Sequence, residues 1–383
     1  MKILTVLTYY RPHTSGLTIY AERLARAFVN RGHEVTVLTT QYDKSLPLHE
    51  EMDGVRIIRL PVLIRVSKGV LAPSFGWAAT KYVLKNDVVQ LHLPQFDAPG
   101  VACRARLFGK PVVLTYHCDL QLPSGWFNRI VNLVVNFQNR LAGALASQLV
   151  TYTSDYAENS EYLSNYRHKL TTILPPVVLP AADRHSVGEF AKKYHIRENS
   201  PVIGMAARFA SEKGVEVLLD AMPAVLEKFP HAQVLFAGQY LDVMGEQAYA
   251  DRLMPRIMEY QQKGHWHFLG ILNPQEMSTF YANLDALVVP SLNSTEAFGL
   301  VQIEAMLNGV PCVASSLPGV RQPVRMHSMG EEIAIGDANQ LSAALNRIFS
   351  NPKDYVCDPH QLAGQYDPDS VAADYEKLFE RLK

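Results

Sequence analysis

An α/β protein built from two parallel-sheet domains is what this sequence predicts, on three observations. Short apolar runs of strand length alternate with segments of helical periodicity. The alternation restarts once, after the proline-bearing stretch ILPPVVLP (Ile173–Pro180). At 383 residues the chain exceeds the roughly 250–300 over which a single core usually grows.

The first half opens on the strand KILTVLTYY, and a loop, RPHTSG, leads into LTIYAERLARAFVNRG. There Ile19, Leu24, Ala27 and Phe28 recur at helical spacing, and Gly32 marks the stop. HEVTVLTT, GVRIIRLP, DVVQLHLP, PVVLTYH and QLVTYTS follow as strands with helical segments between several of them. The second half repeats the pattern with PVIGMAARF, the loop and helix SEKGVEVLLDAMPAVLEKFP, then AQVLFAG, a charged helix, HWHFLG, DALVVPS and VPCVASS. Such a rhythm implies parallel sheets with helical crossovers. The expected organisation is two Rossmann-like domains, 1–175 and 176–363, facing across a cleft. A last helix within 364–383 is expected to return to the first domain. Ligands in such sheets bind beyond the carboxyl ends of the strands.

Composition is that of a globular protein, 48% hydrophobic and 19% charged. The net charge of −1 hides a segregation: residues 1–180 carry 19 Lys+Arg against 12 Asp+Glu, and residues 181–383 carry 17 against 25. A basic first half either suits an anionic partner, such as a phosphorylated acceptor or a membrane surface, or has no functional meaning. Four cysteines (Cys103, Cys118, Cys312, Cys357) lack paired metal spacing. Cys118 and Cys312 stand at strands, where a buried free thiol is common, which suggests a reducing compartment. MKILTVLTYYRP reads as a first strand rather than a secretory leader, and no apolar run is long enough to span a bilayer. The expected location is the cytoplasm, including the inner face of a membrane.

Four loops, each after a strand, carry the candidate chemistry. In HTSG, Gly16 precedes a helix and is either a turn glycine or the point where a phosphate approaches the helix N-terminus. In TYHCD, His117 and Asp119 end a strand; His117 is either structural or a hydrogen-bond donor to a sugar hydroxyl or developing charge. In ARFASEKG, Arg208 and Lys213 bracket the start of a helix, where cations oppose the helix dipole and become sensible with a diphosphate between them. The fourth loop lies in STEAFGLVQIEAMLNGVP. Glu296 precedes a helix, and amides of residues 297–301 offer an anion site; Glu304 falls in an apolar sector almost opposite Gln302 and needs a partner. No D-x-D metal motif stands at a matching strand end, so Arg208 and Lys213 would neutralise a diphosphate leaving group in a metal's place.

ARFASEKG followed by PSLNSTEAFGLVQIEAMLNGVPCVASSLPG resembles the signature of the family four retaining glycosyltransferases, with its E-x7-E pair at Glu296 and Glu304. YYRPHTSG, RGHEVTVLT and GKPVVLTYHCD resemble the same family's N-terminal domain, so the likeness spans nearly the whole chain. The resemblance implies the GT-B fold and transfer of a hexose-type sugar from a nucleotide-diphosphate donor, a UDP-sugar first and GDP-mannose next. It implies that the acceptor is a glycan or lipid-linked molecule of cell-envelope or polysaccharide synthesis. It also implies no cofactor and no metal, and nucleic acid is not expected as a partner. Glu296 would face the donor sugar and Glu304 the ribose hydroxyls. Amides near Phe298, Gly299, Leu300 and Val301 would meet sugar and phosphate. Arg208 and Lys213 would stabilise the diphosphate, Gly16 would approach it, His117 would contact the sugar, and Asp119 would line the donor site. The base would lie near Gly270 and Ile271.

Three departures from the family pattern stand out. Ser15-Gly16 replaces Gly-Gly, LNST lengthens the turn before Glu296, and VRQPV after Gly319 lacks an acidic residue. Two other classes compete, a sugar-nucleotide epimerase and a non-catalytic nucleotide-sugar-binding subunit. The loop combination argues against the first, and an intact Glu296, Arg208 and Lys213 against the second. A dehydrogenase is disfavoured because neither half carries the dinucleotide glycine fingerprint. One helical stretch is left over, SGWFNRIVNLVVNFQNRLAGALA (Ser124–Ala146), with Trp126, Phe127, Ile130 and Val134 beside Arg129 and Arg140. Such a stripe is more often core; the other reading is peripheral membrane contact, or contact with a lipid-linked acceptor.

Overall fold

The computed structural model describes residues 1–66, 69–121, 125–196 and 200–383. It divides into two compact units, Met1–Val177 with Gly364–Lys383, and Val178–Ala363.

In the first unit the order is β1 (Lys2–Val6), α1 (Gly16–Asn30), β2 (Glu34–Gln41), β3 (His49–Met52), β4 (Val55–Pro61), β5 (Ile64–Val66), β6 (Gly69–Leu71) and α2 (Phe75–Lys85). Then come β7 (Val88–Leu93), α3 (Ala98–Leu107), β8 (Val112–Tyr116), α4 (Trp126–Leu145), β9 (Gln148–Thr151), α5 (Ser154–Asn159) and β10 (Leu170–Thr172). Eight strands form one sheet in the order β10-β9-β8-β7-β1-β2-β4-β3. All its pairings are parallel except β3 with β4. The charged edge strand HEEM and the antiparallel ribbon β5–β6 were not foreseen from the sequence. Every residue of β7 and β8 is buried, as a parallel sheet covered on both faces requires. Strand order runs one way from β1 to β2 and the other way from β7 to β9. Right-handed crossovers therefore put α1 on one face and α3 and α4 on the other. Along that second face α2 packs on α3, and α3 on α4.

The second unit comprises α6 (Arg184–Lys193), β11 (Val202–Ala206), α7 (Val215–Lys228), β12 (Gln233–Ala237), α8 (Gln247–Gln262), β13 (Trp266–Gly270) and α9 (Pro274–Tyr281). It continues through β14 (Ala286–Val289), α10 (Leu300–Leu307), β15 (Cys312–Ser315), α11 (Gln322–His327), β16 (Gly330–Ile333) and α12 (Ala338–Ser350). Its sheet is wholly parallel, β13-β12-β11-β14-β15-β16. Ile203, Val234, Phe236, Val288 and Val313 lie in its core with Leu218, Met222 and Leu345 from the helices.

After α13 (Pro359–Tyr366) the chain re-enters the first unit, and α14 (Pro368–Arg381) packs on α1 as expected. Phe379 sits against Phe28, ring centroids 5.7 Å apart. At the rim, Arg31 donates to both carboxylate oxygens of Glu376 at 2.6 and 2.7 Å, and His33 Nε2 lies 2.7 Å from the first. Hydrogen bonds from Arg31 hold the Glu376 carboxyl below its ordinary 4.5. A depressed carboxyl contributes stability above the unfolded-state value and loses it as pH falls through the folded value. Thermal unfolding of the first unit should therefore steepen in its pH dependence below about 4.5, and Glu376→Gln should flatten that acid limb. An unchanged limb would remove Glu376 from the docking of α14.

Helix α4 overturns the commoner reading of its stripe. Its inward face is small: Ala142 and Gly143 are buried, and a Cβ on Gly143 would meet the Tyr162 hydroxyl at 2.5 Å. The bulky apolar side chains point out, and from 126 to 138 no described residue of α4 is buried. Ser124 and the side chain of Phe127 lie outside the described residues. All four cysteines are free; Cys312 is buried, whereas Cys118 is only half-buried.

Candidate active site

In the second unit β11 has β12 on one side and β14 on the other, so strand order reverses between β11 and β14. In open α/β sheets ligands bind outside the carboxyl ends of two such neighbouring strands. The loop after β11 carries Arg208 and Lys213; the loop after β14 carries Glu296. Two contacts lock these loops together. Gly214 has φ +68°, and a Cβ there would lie 2.2 Å from the Pro290 carbonyl oxygen, so only glycine lets the loops approach this closely. The Leu292 N–H donates to the Glu212 carbonyl at 2.9 Å.

The approach brings Lys213 Nζ to 2.6 Å from Glu296 Oε2, although the residues are 83 apart in sequence. The other Glu296 oxygen accepts from the Gly299 N–H at 3.0 Å, so one predicted ligand-facing amide is taken by the protein's own carboxylate. Arg208 donates to Glu212 at 2.9 Å. Both cations at this helix start are thus paired with carboxylates of the chain itself. The longer turn before Glu296 is closed by Asn293, whose side-chain oxygen accepts from the Thr295 amide at 3.1 Å and hydroxyl at 2.6 Å.

Helix α10 carries the rest of the segment. Phe298 is buried, while Leu300 and Val301 in the first turn are half-buried. Glu304 is buried and accepts from the Tyr281 hydroxyl at 2.9 Å, which supplies the partner its position demanded. Gln302, on the other side, is not solvated: it is fully buried and donates to the carbonyls of Phe298 and Val320. Gly270 and Ile271 lie at the carboxyl end of β13, the edge strand. The Gly270 carbonyl accepts from the Gly238 N–H at 2.7 Å, and Ile271 is exposed.

In the first unit Gly16 opens α1 behind Ser15. Ser15 has extended backbone (φ −155°) and its hydroxyl accepts from the Thr18 N–H at 3.2 Å. A serine is well suited there, since the position needs no left-handed conformation and supplies a helix cap. His117 is buried with both ring nitrogens engaged: Nε2 is 2.8 Å from His92 Nδ1, and Nδ1 is hydrogen-bonded to the Tyr152 hydroxyl. Burial, and secondarily His92, push His117 well below its ordinary value; burial takes His92 down to about 3. The pair is therefore neutral at neutral pH, and one nitrogen of the contact donates while the other accepts. Asp119 accepts from the Tyr116 and Ser160 hydroxyls, both at 2.8 Å, and its amide donates to Tyr156 at 2.7 Å. Its carboxylate serves its own domain in this structure.

Sequence reasoning missed His92, Tyr152, Tyr20 and Tyr375. Tyr20 packs edge-on against His117 at 5.0 Å between centroids, and its hydroxyl meets that of Tyr375 at 2.8 Å. The signal was a pair of polar residues, Gln90 and His92, inside the otherwise apolar central strand VVQLHL.

Comparison with known proteins matches residues 15–176 to the glycosyl transferase 4-like domain and residues 186–357 to the glycosyl transferases group 1. A phosphatidyl-myo-inositol mannosyltransferase of Mycobacterium leprae is 25% identical over 404 residues, covering 100% of this chain and 97% of that one. A 2-deoxystreptamine N-acetyl-D-glucosaminyltransferase of Streptomyces fradiae is 25% identical, covering 93% and 88%. Among solved structures, Anabaena Alr3699/HepE in complex with UDP-glucose superposes with a TM-score of 0.76 at 18% identity, covering 100% of both chains. The two-unit α/β architecture is that of GT-B glycosyltransferases.

Proposed function

From the premise that the chain belongs to the family of these glycosyl transferases, we propose that it is a retaining, metal-independent hexosyltransferase. Its donor is a nucleotide-diphosphate sugar, a UDP-sugar before GDP-mannose, and its acceptor is a glycan or a lipid-linked molecule. The observation that carries this reading is the Lys213–Glu296 pair at the strand-order reversal of the second unit, with Arg208 on the same loop as Lys213. A diphosphate entering there meets two cations, one a planar fork and one a point charge. Its arrival exchanges the Lys213 contact from the Glu296 carboxylate to phosphate and turns that carboxylate to the sugar. Glu304, held by Tyr281, takes the ribose hydroxyls.

In the step itself the bond from the anomeric carbon to the diphosphate oxygen breaks. The acceptor oxygen bonds to the anomeric carbon on the same face, and its proton passes to the departing phosphate. The protein's part is electrostatic: charge developing on the leaving group is met by two preplaced cations. The glucose nucleotide held by the Anabaena neighbour favours a UDP-sugar, and the mycobacterial relative's name keeps mannose second.

Calorimetric titration of the purified protein with UDP, GDP and ADP tests the donor site. One nucleotide should bind preferentially, and at 100 times its dissociation constant it should stabilise the fold by about 2.7 kcal/mol. A folded protein that binds none of the three would remove the diphosphate role of Arg208 and Lys213.

A further inference from the structure

The three helices on one face of the first unit have an unusual charge pattern. α2, α3 and α4 carry Lys81, Lys85, Arg104, Arg106, Arg129 and Arg140, and not one Asp or Glu. On the opposite face, α1 and α14 mix both signs. The excess of cations in residues 1–180 is therefore concentrated in one layer.

That layer also holds the most apolar exposed helix among those described. On α4, Trp126, Ile130, Leu133, Val134, Phe137 and Leu141 are 40–76% exposed. Their spacing of three and four residues puts them on one stripe along the helix. Arg129 and Arg140 flank the stripe; the carboxylate of Glu161, from outside the layer, lies 3.8 Å from Arg140. Trp77 on α2 is also exposed, with Lys81 Nζ 5.5 Å from its ring centroid. Among the described residues no helix is long and apolar enough to cross a membrane, α4 included.

A stripe of large apolar side chains on a helix whose polar residues are neutral or cationic, with no carboxylate of its own, matches an interfacial helix lying in the headgroup plane. We propose that α4, backed by the cationic α2–α3 layer, docks this unit on an anionic lipid bilayer surface. Charge selects that occupant over a second copy of the chain. A two-fold contact through this layer would set cations against cations, because its helices offer no carboxylate in return. Docking here would also bring the enzyme to an amphiphilic acceptor, but the proposal does not depend on the glycosyl-transfer reading.

Flotation of the full chain with phosphatidylcholine vesicles, with and without phosphatidylglycerol, tests it without any donor present. Binding should require phosphatidylglycerol, weaken with added salt, and shift Trp126 emission to the blue. Leu133→Glu and Phe137→Glu, made together, should lower binding at least about tenfold, and Arg129→Gln roughly fivefold, one cation's worth at such a surface. These side chains are exposed, so an unchanged melting temperature is expected and is measured alongside. Absence of flotation, equal binding to phosphatidylcholine alone, or variants that bind like the wild type would each overturn the proposal. So would a sedimentation result in which the chain self-associates and Leu133→Glu abolishes it.

Discussion

Lys213→Ala is expected to lower kcat for sugar transfer by about 10²–10³, the size seen when one preplaced group facing developing charge is removed. Stability should move far less. The Lys213–Glu296 pair is partly solvated, its side chains 18% and 23% exposed, and such pairs contribute about 0–1 kcal/mol to folding. This separation of magnitudes makes the test informative, because a merely structural lysine would show the reverse ordering. Lys213→Arg should recover part of the loss: it keeps the charge and changes its shape. Glu296→Gln serves as the partner experiment. It retains an acceptor for the Gly299 amide but not the negative charge, so nucleotide affinity should hold or rise while turnover falls. Single-turnover rates and calorimetric affinities for the nucleotide that binds best would read both effects. Wild-type turnover in Lys213→Ala would end the leaving-group assignment.

The loops that make up the second unit's candidate site were legible because each of them is local. Arg208 and Lys213 share one loop, Glu296 and Glu304 one turn and helix, and each loop follows a strand whose apolar run is plain in the sequence. Their meeting was not legible, since the Lys213–Glu296 contact depends on β11 and β14 being neighbours and on Gly214 pressing against Pro290. The same limit hid the surroundings of His117. His92, His117 and Tyr152 stand on or just after β7, β8 and β9, three consecutive strands that come together only when the parallel sheet forms. Periodicity identified α4 as a helix but could not say which way its stripe points. An amphipathic helix has the same spacing whether its apolar face is covered or not. The small face of Ala142 and Gly143, which takes the helix against Tyr162 and Tyr166, decided the matter. The helical wheel placed Glu304 correctly but gave no sign that Gln302, almost opposite, is buried as well. It places side chains around an axis but does not know that α10 is enclosed on more than one side.

Tyr375→Ala is expected to destabilise the first unit by about 3–5 kcal/mol, the cost of emptying a buried aromatic site. Tyr375 is fully buried on α14, its ring edge-on to Phe28 with centroids 6.2 Å apart. Its hydroxyl meets that of Tyr20 at 2.8 Å and that of Thr115 at 2.9 Å, so one atom ties the last helix to α1 and to β8. Tyr375→Phe isolates that atom. The ring stays, two buried hydroxyls lose a partner, and the expected cost is about 1–3 kcal/mol. The smaller variant also reports on the site. Tyr20 packs on His117, and His117 is held by His92 and Tyr152, so a shifted Tyr20 changes what fixes the imidazole. Denaturant unfolding followed by a probe in the first unit gives the stability change, and the imidazole resonances of His92 and His117 give the local one. A Tyr375→Phe protein as stable as the wild type, with both resonances unmoved, would mean that α14 only covers the core. A loss of stability with shifted resonances would make residues 364–383 part of what orients His117, which explains physically why the chain returns to the first unit after completing the second.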